Sequence, residues 1–262
     1  MSGVDTAVVR AEWTKLRSLP GNAVAVVAVV ALTVGLSAFM CAVGHTDATR
    51  PGQGDDDVVV NSLRGVYIGQ IAVVAFAVGT VAAELTTGVI RTTFTAVPGR
   101  RAVAVAKAIT LSGAVLASGL ATSVLSFLVC QPLLHASGFR PPAYPIVALT
   151  EPAVVRAVTG TALYLTALAV LGLAAGAIAR HAAPSITALA GPLLAPVALG
   201  SFLPNALADP LQRYTPIAGL AIQRTVHDAS APIGPWSGLG VTWVWALAAS
   251  AVAVWVIERR DV

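Results

Sequence analysis

Apolar runs of about twenty residues recur six times along the chain, separated by short polar segments. A helix of about 20 residues crosses the roughly 30 Å hydrocarbon core of a bilayer, so each run is long enough to span one. The predicted spans cover 22–43, 65–83, 108–129, 157–179, 184–203 and 238–257. Arg64 and Glu84 bound the second, Gln131-Pro132 closes the third, Arg156 and Arg180 bracket the fourth, and Pro192 and Pro196 lie inside the fifth. The pattern predicts an all-α integral membrane fold: six transmembrane helices in a single domain over 1–262. An even number of spans puts both termini on the same side.

The polar segments carry their own periodicity. In Met1 to Pro20, Val9, Trp13 and Leu16 form a helical stripe flanked by Arg10 and Arg17, with Lys15 beside them. This reads either as an N-terminal interfacial helix or as a positive anchor for the first span. Between the second and third spans, Ile90, Phe94 and Val97 fall on one side of a short helix with Arg91 on its flank, and Pro98-Gly99 stops it. Hung between two spans, such a helix suits docking into a soluble partner. Glu84 before it reads as an N-cap, as a salt bridge to Arg91, or as a mechanical element. The segment 136–151, with Pro141, Pro142 and Pro145, reads as a stiff turn, after which Thr150 caps the fourth span and Pro152 opens it. The segment 205–237 is too apolar for an aqueous loop and predicts short outer helices before the last span, lying on or re-entering the membrane.

Composition agrees with a membrane protein: 56% of residues are hydrophobic and 11% charged, against about a quarter charged in soluble domains. The distribution of charge orients it. The N-terminus, the 84–107 loop, the Arg180 turn and the C-terminus hold ten Lys and Arg against five acids, while the other loops hold six arginines against seven acids. By the positive-inside rule both termini are cytoplasmic. Asp55-Asp56-Asp57 then forms a solvated outer turn. The first apolar run is longer than a signal-peptide core and lacks a convincing cleavage site, so it is expected to be retained.

The chemistry is sparse. The six predicted interiors contain no Asp, Glu, Lys, Arg or His, which disfavours ion-coupled transport and intramembrane metal chemistry. Ser112, Ser118, Ser123 and Ser126 lie within the third span and are expected to hydrogen-bond to the helix or to a neighbour. Cys41 and Cys130 have no metal or redox spacing and read as buried apolar residues rather than a disulfide. His45, His135 and His227 are assigned to outer segments with ordinary loop hydrogen bonds, and no metal site is expected. Gly113 with Ala117, and Gly172 with Gly176, place small residues one turn apart for close packing within the subunit. Trp243 and Trp245 point to different faces of the sixth span, where they read as lipid contacts or as lining of a substrate route. There is no phosphate-binding loop and no basic-aromatic interleaving of the nucleic-acid kind, so neither ATP hydrolysis by this chain nor nucleic-acid binding is expected.

Glu84, Gly88, Ile90, Arg91, Thr93, Ala96, Pro98, Arg100 and Lys107 together resemble the first cytoplasmic loop of bacterial type-2 ATP-binding-cassette permeases. Ala11 to Ser18 resembles the segment that opens many members of that family. The resemblance implies an exporter permease subunit in the bacterial cell membrane, without enzymatic activity of its own. A cytoplasmic coupling helix over Glu84, Gly88, Ile90, Arg91, Phe94, Pro98, Arg100 and Arg101 would receive force from a separate ATPase that carries the ATP and Mg. It also implies pairing with a second permease copy or close homologue, and a lid over the outer exit formed by 205–237. Two readings from other classes remain open: a scaffold or sensor that binds a soluble regulator, and an ATP-independent carrier.

Overall fold

The computed structural model describes residues 6–44, 57–88, 99–141, 144, 146–200, 202–226 and 231–259. These residues form helices α1 (Thr6–Ser18), α2 (Pro20–Val43), α3 (Val58–Ser62), α4 (Val66–Thr87), α5 (Arg100–Ala136), α6 (Pro152–Ala179), α7 (Ala182–Gly200) and α8 (Asn205–Tyr214), then a 3₁₀ segment (Pro216–Gln223) and α9 (Pro235–Arg259). Six of them, α2, α4, α5, α6, α7 and α9, are long and apolar enough to cross a membrane.

The bundle is built around α6, which packs against α4, α5, α7, α9 and the 3₁₀ segment. Its most apolar window is 72% buried, whereas those of α2 and α7 are 17% buried. Small residues make this crowding feasible. A Cβ on Gly172 would stand 3.1 Å from the Val74 carbonyl oxygen of α4, and one on Gly176 would stand 3.3 Å from that of Val78. These glycines therefore serve packing within the subunit, as their spacing suggests. A Cβ on Gly113 would meet no neighbouring helix within 4 Å among the described residues, so Gly113 makes no such approach.

Burial on α2 runs opposite to that of a soluble helix. Thr33, Ser37 and Cys41, one turn apart, face inward, while Val24, Val27, Leu32 and Phe39 face outward. Ser37 Oγ accepts a hydrogen bond from the Gly65 amide at 3.0 Å, and Thr33 Oγ1 donates to its own helix at Val29 O. Where lipid is as apolar as leucine, small polar residues make the interhelical contact and large apolar ones face the hydrocarbon.

Helix limits depart from the hydropathy reading in instructive ways. The third span is not closed by Gln131-Pro132, since α5 continues through Pro132 to Ala136. Proline removes one intrahelical bond, but packing holds the segment: Cys130 and Leu134 are buried and Ser137 Oγ donates to Cys41 O at 2.8 Å. With 37 residues, α5 is roughly 55 Å long, well beyond the hydrocarbon thickness. Pro152 opens α6 as expected, but the cap position belongs to Glu151 rather than Thr150. Glu151 Oε1 accepts from the Ala148 amide at 2.9 Å and so closes the preceding turn.

The apolar segment after α7 does fold into short helices. The 3₁₀ segment is buried throughout, packed between α6 and α9. Thr242 Oγ1 of α9 donates to Pro216 O at 2.8 Å, and Gly160 of α6 leaves room for Ile222. Its neighbour chain is pinned by Asp57. That carboxylate caps α3 through the Val59 and Val60 amides, and also accepts from the amides of Thr225 and Val226 and from Thr225 Oγ1. Asp57 is 5% exposed, so the expectation of a solvated turn fails for this residue. Five donors replace the water that the charge gives up. Asp55 and Asp56 lie outside the described residues.

Candidate functional site

Four charged side chains gather at one end of the bundle, where α4 stops, α5 begins and α1 crosses them. Glu84 lies in the last turn of α4 and Lys107 in the second turn of α5. Lys107 Nζ donates to Glu84 Oε1 at 2.7 Å and approaches Glu12 Oε2 of α1 at 2.9 Å. Lys15 Nζ completes the cluster on Glu12 Oε1 at 2.6 Å. Glu12 is 4% exposed and Lys107 14%, so the attraction between them is only weakly screened.

Burial pushes the Glu12 carboxyl up. Lys107, followed by Lys15, more than offsets this and holds it below its ordinary value. The ionised form is therefore the native one. The cluster clamps α1 to α5, and the inner face of α1 is Val9, Glu12 and Leu16 rather than the Val9, Trp13 and Leu16 stripe. Trp13 and Arg17 face outward. The anchor for α1 is thus a carboxylate that sits beside the proposed interfacial residues Trp13, Lys15 and Arg17. Hydrophobic periodicity could not select it, and the only hint in the chain is the Glu12 to Lys15 spacing.

Beside the cluster lies a cavity of about 460 Å³ between α1, α2, α4 and α5, lined among others by Glu12, Asn22, Thr80, Glu84, Lys107 and Thr110. Gly88 ends α4 in the left-handed region at φ 73°, a conformation that glycine adopts without a Cβ penalty. Ile90, Arg91, Phe94 and Pro98 lie outside the described residues. Arg100 begins α5. Arg101 reaches Glu258 of α9 through two contacts, Nε to Oε1 and an Nη2 to Oε2 hydrogen bond of 2.7 Å. The Glu84–Lys107 bridge thus ties together the two helices that flank 89–98, and Arg101 ties the second of them to α9. For Glu84, the partner is Lys107, and its place in the last turn of α4 rules out the N-cap role.

The remaining candidates are dispersed. Trp243 packs against the main core, and Trp245 is exposed with its indole N–H donated to Tyr214 O at 2.8 Å. Trp245 thereby clips α9 to the end of α8. Ser118 Oγ bonds back to Val115 O at 3.2 Å, but Ser123 and Ser126 are buried without a hydrogen-bond partner among the described residues, contrary to the expected bond to the helix or to a neighbour. Cys41 and Cys130 are free thiols in one small buried cluster with Val58, Leu134, Phe139 and Tyr144. His135 Nδ1 lies 2.8 Å from Gln131 O, while His45 and His227 lie outside the described residues. Deep in the bundle, Tyr164 of α6 donates to Gln70 Oε1 of α4, whose amide nitrogen donates to Tyr67 O at 2.9 Å.

Helical throughout its regular structure among the described residues, with six helices able to span a bilayer, this is a polytopic α-helical membrane protein. No protein-family model, curated protein or solved structure matches the chain.

Proposed function

We propose that the chain is the membrane-spanning permease subunit of a bacterial ATP-binding-cassette exporter, working with a separate cytoplasmic ATPase. The observation that carries this reading is the basic loop between α4 and α5. Its residues resemble the coupling loop of type-2 permeases, and the Glu84–Lys107 bridge at 2.7 Å joins the two helices that bear it. A push on the loop would reach α4 and α5 as one body, and α1 through Glu12. Ile90 and Phe94 are the apolar docking knobs, Arg91 and Arg100 the charges around them, and Pro98-Gly99 the elbow. ATP and Mg belong to the ATPase, both termini face the cytoplasm of the cell membrane, and a second permease copy or close homologue completes the route.

A mild-detergent pull-down of the tagged chain from its native membrane, followed by an ATPase assay, tests this. A stoichiometric ATP-binding-cassette ATPase, lost when Ile90 and Phe94 are made polar, supports the permease. Recovery of the chain alone, under conditions that keep a known permease complex together, overturns it in favour of a scaffold. Flux through vesicles without any ATPase overturns it in favour of a carrier.

A further inference from the structure

At the same end of the bundle, a partly open cleft of about 150 Å³ lies between α4, α5, α6 and α9. Leu85, Val103, Ala108, Leu173, Ala177 and Ile257 make up much of its wall. Its charged lining comes from Glu84, Lys107 and Arg180. Lys15 and Lys107 balance Glu12 and Glu84, two cations against two anions, so that cluster carries no surplus. Arg180 has no carboxylate partner among the described residues, and the cleft is left with one positive charge in excess.

The position of Arg180 is unusual as well. It ends α6 at φ 60°, the one non-glycine residue with positive φ among the described residues. Glycine would satisfy that backbone with less strain, yet an arginine stands there with its side chain on the rim of an apolar cleft. A guanidinium presents a fork of N–H donors that matches phosphate oxygens, and the apolar wall beside it matches a hydrocarbon chain. A closed apolar cavity of similar volume takes only a benzene-sized group. The cleft therefore accepts part of one chain while the rest of the molecule stays in the bilayer.

We propose that this cleft is a binding site for an acidic phospholipid, with its phosphodiester on Arg180 and a length of one acyl chain against Leu85, Ala177 and Ile257. The site rests on the membrane-spanning fold and is independent of the transport reading. It would tether the end of α6 to the lipid leaflet beside the loop between α4 and α5.

The test is retention of lipid by the purified full chain in neutral detergent, read by native mass spectrometry after incubation with equal phosphatidylglycerol and phosphatidylcholine of identical chains. The expected result is one phosphatidylglycerol retained about tenfold over phosphatidylcholine, the scale of a single charge-assisted contact. Arg180→Gly removes the charge and relaxes the backbone, so it should melt no earlier than the wild type and lose the preference. Arg180→Lys should keep part of it, and Ala177→Phe, which fills the cleft, should lose retention of both lipids. Equal retention of the two lipids by the wild type, an undiminished preference in Arg180→Gly, or displacement of phosphatidylglycerol by equimolar oleate would each overturn the proposal.

Discussion

Removing the Lys107 ammonium takes the only described ion-pair partner from Glu84 and leaves Lys15 alone to face the buried Glu12 carboxylate. Lys107→Met should cost about 2 kcal/mol, somewhat below the loss for a wholly buried pair because Glu84 keeps some contact with water. Thermal melting in detergent measures it, and the double variant with Glu12→Gln should recover part of the loss. The same network has a pH signature. Glu12 is held below the ordinary carboxylate value of 4.5, so its contribution is fully present above that pH and fades as pH falls through the lowered value. Melting curves of the wild type and Glu12→Gln should therefore differ near neutrality and converge in acid. Left-handed positions give two further substitutions of opposite sign. Gly88→Ala should destabilise by about 1 kcal/mol, and Arg180→Gly should stabilise by about the same amount. Gly88 could be singled out from its place before the basic loop, but nothing in the sequence pairs Lys107 with Glu12, which is 95 positions away and in a different helix.

Among the elements, α5 and the pinned 3₁₀ segment show how packing overrides a hydropathy profile. Hydropathy locates the part of α5 that fits hydrocarbon, because only that part is continuously apolar. The helix itself runs on at both ends, where Arg101 meets Glu258 and where Leu134 and Ser137 pack against the α2 terminus. For the 3₁₀ segment, the decisive residue is Asp57, which lies 168 positions from Thr225 and ties α3 to the chain that leaves the segment. Asp57→Ala should cost about 2 kcal/mol, the scale of hydrogen bonds to a charged acceptor, and should speed hydrogen exchange at the Thr225 and Val226 amides. Unchanged exchange there would show that the clamp does not hold the segment. At Gly172 the obstacle to a side chain is the Val74 backbone of α4, which cannot swing aside as a side chain can. Gly172→Leu should therefore separate α4 from α6 and lower the melting temperature more than the same change at the unobstructed Gly113.

The whole molecule sets one bundle end, rich in Lys and Arg, against another built from the α3 cap, the buried 3₁₀ segment and α8. Single cysteines introduced at Ser18 and Gly234, in a background with Cys41 and Cys130 replaced by alanine, test the orientation. A membrane-impermeant maleimide added to intact cells should label Gly234→Cys and spare Ser18→Cys, and the reverse pattern would invert the topology. If the chain works as a permease, Phe94→Asp should leave assembly of the membrane bundle intact while abolishing stimulation of the partner ATPase. Normal stimulation in that variant would remove Phe94 from the coupling surface.

The sequence alone determined the number of spanning helices, their approximate positions and the accumulation of basic charge at one end, because crossing hydrocarbon is a one-dimensional requirement on length and polarity. The short helices before α9 were legible for the same reason, since their apolar content excludes an aqueous loop. Only the tertiary structure decided which span is central. All six are apolar, and lipid and protein interior are nearly equivalent solvents for such side chains, so the 72% burial of α6 and the 17% burial of α2 leave little trace in hydropathy. It also decided the partners of Glu12, Asp57 and Lys107. Ion pairs and carboxylate clamps depend on where distant helix ends meet in space, and no local periodicity records that meeting.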